Sequence, residues 1–167
     1  MTATRLVQIG GATKGELLSM LSAAGVQLNA AGHRLFEDER FTTSAERLCV
    51  EVVETSVAGL GFPNGATFVQ IVEQAETRGL ELCPLELGPH FRLQFLDQTE
   101  GSLRQPPTQN CAPPGSITVA SATLVDNDDV PAGFYLRRID GRLWLRGYHS
   151  WPGHIWSPGD VFAFLRV

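Results

Sequence analysis

Asp140-Gly141 stands between two short runs, Phe134–Ile139 and Leu143–Tyr148, that are rich in aromatic and branched apolar residues. An Asp-Gly pair accepts the positive φ angles of the tightest hairpin turn, so the two runs are expected to face each other as antiparallel strands. Ile117–Leu124 before them and Val161–Val167 after them read as further strands, and the four together predict a C-terminal antiparallel meander.

Helix signals dominate the other half. Thr13-Lys14-Gly15-Glu16 fits a capping box, in which the threonine hydroxyl accepts from a first-turn amide and the glutamate reaches back to the cap amide. Leu17, Leu18, Met20, Leu21 and Ala24 follow at helical spacing, and Gly25 supplies a left-handed stop. Asn29 can cap a second short helix that buries Leu35 and Phe36, and the pair reads as a small helical hairpin. Leu48–Glu54, with its β-branched residues, reads as a strand. After the breaker cluster Gly59–Gly65, Thr67 caps the clearest helix, with Phe68, Ile71, Val72 and Ala75 on one face and Gly79 beyond its end. Phe91, Leu93 and Phe95 alternate with Arg92 and Gln94, which predicts a half-exposed strand. From about 99 to 115 the chain is polar and proline-rich and reads as a flexible surface loop.

The expected fold is therefore one α+β domain over 1–167: N-terminal helices and a central helix packed against a mainly antiparallel sheet that ends in a C-terminal β-meander. Apolar residues at 43% and charged residues at 19% fit an ordinary globular chain. Charge or proline breaks each apolar stretch well before the ~18 residues a membrane span needs. The opening residues carry no secretory pattern, so the cytoplasm is the expected location.

A net charge of −5 opposes phosphate-driven binding, and nucleic acid is not an expected partner. Residues 133–167 nevertheless hold 5 arginines against 2 aspartates, either as a binding face or as the solvent side of a sheet. Cys49, Cys83 and Cys111 show neither paired spacing nor a histidine at zinc-ligand distance, so no metal and no cofactor is implied. Cys49, inside an apolar run, is expected in the core, and Cys83 has no neighbouring base to make it a nucleophile.

Four clusters carry polar chemistry. Gly10-Gly11-Ala12-Thr13-Lys14-Gly15 has the glycine spacing of a phosphate loop, but Glu16 and Leu17 stand where Lys-Ser/Thr is needed, so it reads as a capped helix. Glu86, His90 and Arg92 surround Gly88-Pro89 and are the catalytic candidates: His90 as base or acid, Glu86 to orient it and Arg92 to hold an anionic group in a small hydrolase or transferase. Tyr148, His149, Trp151, His154 and Trp156 crowd one loop, and Trp144 and Arg146 on the preceding strand extend it. Aromatic rings give contact area at low entropy cost, so this stretch is the candidate ligand or partner surface, unless the tryptophans simply plug the end of the sheet. Asp126-Asn127-Asp128-Asp129 lacks the glycine and distal glutamate of a calcium loop and reads as a solvated turn.

Leu60–Thr67, Leu82–Pro89 and Gly133–Gly141 resemble stretches of a family of small uncharacterised bacterial proteins, some of which carry a helicase label. The resemblance implies a bacterial source and assigns no catalytic residue. The leading expectation is a noncatalytic ligand- or protein-binding module. A small molecule, a protein or a second copy of the chain stays open as its partner.

Overall fold

The hairpin turn is built as its residues require: Asp140 (φ 51°) and Gly141 (φ 74°) both take left-handed backbone. In this computed structural model, which describes residues 2–101, 112 and 115–167, the turn joins the two longest C-terminal strands. Cys111 and most of the proline-rich segment lie outside the described residues.

In chain order the elements are β1 (Ala3–Ile9), α1 (Lys14–Ala23), β2 (Gln27–Leu28), α2 (Ala30–Glu37), β3 (Leu48–Ser56), a 3-10 turn (Ala58–Leu60), β4 (Ala66–Thr67), α3 (Phe68–Glu76), β5 (Leu80–Glu81), α4 (Leu87–Gln94), β6 (Ile117–Val119), β7 (Gly133–Ile139), β8 (Arg142–Tyr148), β9 (Ile155–Trp156) and β10 (Val161–Arg166). The protein is α+β, with a mixed, mostly antiparallel eight-stranded sheet ordered β1-β3-β10-β6-β7-β8-β2, and β5 paired to β10. No helix among the described residues is long and apolar enough to cross a membrane.

Both faces of the sheet are covered. Val7, Val52, Ala163, Phe134, Leu136 and Leu145 point to one face, where α1, α2 and α4 contribute Leu17, Leu21, Leu35, Phe36, Leu87 and Phe91. Val53, Phe162 and Phe164 point to the other, under Ile71 and Ala75 of α3 and Trp156 of β9. Alternate residues of β3 and β10 therefore enter two separate cores, which is why their sequences are apolar without alternation.

Several expectations are corrected. Phe91, Leu93 and Phe95 belong to a helix and its cap rather than a strand. Pro89 sits in the first turn, where no intrahelical donor is lost, and Phe91 stacks on Phe95 one turn along at 5.6 Å. The apparent period of two arises because Arg92 is itself buried. The first two helices are not a hairpin: β2 runs between them, pairs parallel with β8, and sets α2 on β8 while α1 packs on α4. β6 is shorter than Ile117–Leu124, because Ala120 leaves the ladder to accept from Cys83 N and donate to Ala163 O, and beyond the buried Ser121 the chain is exposed at Ala122 and Thr123. β6, β7 and β8 form the meander, whereas β10 returns between β3 (antiparallel) and β6 (parallel). Cys49 is exposed rather than in the core, because it lies at the exposed start of β3, whose buried residues begin only at Val52. β1, at the sheet edge, had no counterpart in the sequence reading.

Candidate functional site

A cleft of about 180 Å³ opens where the β9 ribbon, the start of α3 and the loop after β6 meet. Gly65 makes the ribbon: at φ 90° it lies so close to Trp156 that a Cβ would stand 2.5 Å from the Trp156 carbonyl. Ala66 and Thr67 then pair with Trp156 and Ile155, and the capping box of Thr67 and Gln70 starts α3, bringing Phe68 and Val69 to the cleft wall.

Trp156 forms the floor. It is edge-on to Phe162 at 4.8 Å, to Tyr148 at 5.7 Å and to His154 at 4.8 Å. His154 also stands edge-on to Trp151 at 4.9 Å, and burial lowers its pKa, so a neutral imidazole separates the two indoles. Trp151 is half exposed at the mouth. Tyr148 lines the inner wall, and burial raises the pKa of its hydroxyl, which keeps it protonated. The opposite wall comes from Ser121, Val125 and the Asp126–Asp128 turn.

Two buried atoms of this lining have no hydrogen-bond partner: Ser121 Oγ and Trp156 Nε1. A buried donor or acceptor left unpaired costs about 1 to 3 kcal/mol. Such groups in a native fold call for an explanation, and a bound molecule supplies one.

The sequence candidates divide. Tyr148, Trp151 and Trp156 line the cleft, and His154 braces the indoles. His149 is exposed, with Nδ1 3.2 Å from the Asp128 carbonyl. Trp144 and Arg146 share a strand face with Tyr148 but lie farther along β8, where Arg146 stacks 5.0 Å over Trp144 and its Nε donates to the Tyr135 hydroxyl at 2.8 Å. That arginine is engaged outside the cleft.

Glu86, His90 and Arg92 do not converge. Glu86 accepts from the Ser44 hydroxyl at 2.6 Å and the Ser44 amide at 3.0 Å. His90, one turn on, uses Nε2 to accept from Gly10 N at 3.2 Å, and burial lowers its pKa despite Glu86 nearby. Arg92 points to the other side of α4, donating to Gln98 Oε1 at 2.6 Å and to the Phe95, Trp144 and Arg137 carbonyls. Burial, then the charge of Arg138, lowers its pKa to about 10. The three side chains tie α4 to three different segments. Gly10 and Gly11 likewise serve close packing, since a Cβ on Gly10 would stand 1.9 Å from the Glu46 carbonyl. Cys83 is buried, donates to the Ala163 carbonyl, and has its thiol pKa raised by burial.

A second hollow, about 290 Å³, lies beside the Arg5–Glu54 ion pair. Its carboxylates are already engaged: Glu54 by Arg5, and Asp160 by the Ala112 and Ser157 amides. Among the described residues, no three His, Cys, Asp or Glu side chains gather as metal ligands. No family model, no curated protein and no solved structure matches this chain. Sequence reasoning missed Ser121, whose only signal was a hydroxyl after an apolar run, and it treated the Asp126–Asp128 turn as solvent-facing without seeing a wall behind it.

Proposed function

We propose that this protein is a noncatalytic binding module that takes a small molecule with a ring-sized apolar body into the Trp151–Trp156 cleft. The observation that carries this reading is the pair of unpartnered buried atoms, Ser121 Oγ and Trp156 Nε1, on residues lining an otherwise mainly apolar cleft. A few fixed polar groups in an apolar concavity orient a ligand, while the aromatic walls supply the affinity. The size agrees: a dry cavity of about 150 Å³ holds benzene, and this one is slightly larger. The acid–base alternative with Glu86, His90 and Arg92 loses its support because those side chains turn to separate partners.

The test is two-dimensional nitrogen–proton NMR of the indole N–H signals during titration with phenol and with indole. The Trp156 signal is expected to shift and saturate, and Trp151→Ala is expected to weaken binding several-fold while leaving the fold intact. If neither probe moves the Trp156 signal, the cleft is not a small-molecule site.

A further inference from the structure

The charge around the cleft is one-sided. Asp126 and Asp128 stand on its lining, and among the described residues no lysine or arginine does. Neither carboxylate forms an ion pair with a described residue. Arg34 reaches the same loop but donates to the Asp129 carbonyl, and His149 meets the carbonyl of Asp128 rather than its carboxylate. Trp151 adds an exposed indole face at the same mouth, and an indole face attracts a cation.

The inner end has the opposite character. Ser121 is 2% exposed and Trp156 is 5% exposed, and their unpaired Oγ and Nε1 offer a hydroxyl and a donor-only N–H. A ligand group that accepts from Nε1 and exchanges a hydrogen bond with Oγ would satisfy both. A hydroxyl or carbonyl does this. The walls between the two ends are apolar, from Phe68, Val125, Val130 and Ala132.

We infer that the ligand is a small organic cation: an amine or quaternary ammonium at the Asp126, Asp128 and Trp151 mouth, an apolar ring in the middle, and a hydroxyl or carbonyl at the Ser121 and Trp156 end. This rests on the small-molecule reading of the cleft and adds the sign of the ligand's charge and the order of its groups. An acidic ligand would meet two uncompensated carboxylates and is disfavoured.

Three probes of one shape but different charge separate the two readings: tyramine, its neutral alcohol counterpart tyrosol, and its carboxylate counterpart phloretate. Each is titrated while the Trp156 indole N–H signal is followed at low ionic strength. Two partly exposed charge pairs and one cation–π contact together favour the amine by roughly tenfold. Tyramine is expected to bind about tenfold tighter than tyrosol by that sum, and phloretate weakest. The double variant Asp126→Asn, Asp128→Asn is expected to remove most of tyramine's advantage over tyrosol. Added salt is expected to erode it in the wild-type protein. If tyrosol binds and tyramine has no advantage, or if the advantage survives the double variant, the cation inference is overturned and the small-molecule reading stands. If none of the three shifts the Trp156 signal, both fall together.

Discussion

The side-chain amide of Asn29 and the backbone of Gly147 exchange two hydrogen bonds: Gly147 N donates to Asn29 Oδ1 at 2.8 Å, and Asn29 Nδ2 donates to Gly147 O at 3.0 Å. The same Oδ1 accepts from Gly32 N at 2.8 Å and caps α2. One residue therefore starts a helix and adds a rung to the β2–β8 edge. Glycine is required opposite it, because a Cβ on Gly147 would stand 2.6 Å from the Ala31 carbonyl carbon.

Asn29→Ala should cost more than an ordinary helix cap. The cap contributes ~1 kcal/mol, and each backbone group left unpaired at Gly147 adds ~1 kcal/mol. The expected total is about 3 kcal/mol, or a fall in melting temperature of about 6 to 12 °C for a chain of this size. Asn29→Asp keeps the accepted bonds but loses the donated one, so it should recover only part of the loss. Urea unfolding of the three proteins measures this, and a loss confined to that of a simple cap would mean that the contact with β8 contributes nothing.

His90 makes stability depend on pH in a defined direction. Its Nε2 accepts from Gly10 N, so it must be unprotonated there, and burial lowers its pKa below the usual 6.5. The unfolded chain therefore takes up the proton first. His90's contribution is fully present above about 6.5 and is lost as pH falls from there through the lowered folded value. His90→Gln can still accept from Gly10 N but cannot titrate. Thermal melts at neutral and mildly acidic pH should show a smaller acid loss in the variant than in the wild type, and equal losses would remove His90 from the account.

Local signals were legible in the sequence and distant ones were not. Asp140-Gly141, Thr13 and Thr67 each announce a backbone state through their own chemistry, and the hairpin, the Thr13 capping box and the Thr67 cap form where expected. The place of β10 depends on pairing with β3 and β6 far along the chain, so its continuous apolar residues could identify a strand but not its neighbours. The alternation at Phe91, Leu93 and Phe95 misled because Arg92, a residue that pattern rules count as exposed, is wholly buried. At the site, clustered aromatics marked Trp151 and Trp156, but Ser121 reaches them only through the fold.

Arg92 is a buried cation that forms no ion pair with a described carboxylate and is held by Gln98 Oε1 and main-chain carbonyls. Gln98 in turn donates to the Gly115 and Leu136 carbonyls, so the pair joins α4 to the start of β6 and to β7. Arg92→Met fills much of the same volume but strips these acceptors of their donor, at a cost of about 3 kcal/mol. Arg92→Lys keeps the charge but not the branched donor geometry, and should destabilise by a similar amount. Calorimetry on both variants tests this, and a near-neutral Arg92→Met would show that the network is replaceable by packing. Probe binding in the cleft should be unaffected, because α4 packs through Leu87 and Phe91 on the core opposite the one that holds Trp156.

Ser121 separates stability from binding most cleanly. Its hydroxyl is buried and unpaired, so the fold carries a desolvation cost that no hydrogen bond offsets. Ser121→Ala removes that polar atom and leaves almost the same shape. The variant is expected to be as stable as the wild type or more stable by about 1 kcal/mol. Tyrosol and tyramine, whose phenolic hydroxyl would pair with Oγ, should each bind several-fold more weakly. The opposite pattern, a loss of stability with unchanged probe binding, would show that Ser121 Oγ serves the fold and not a ligand.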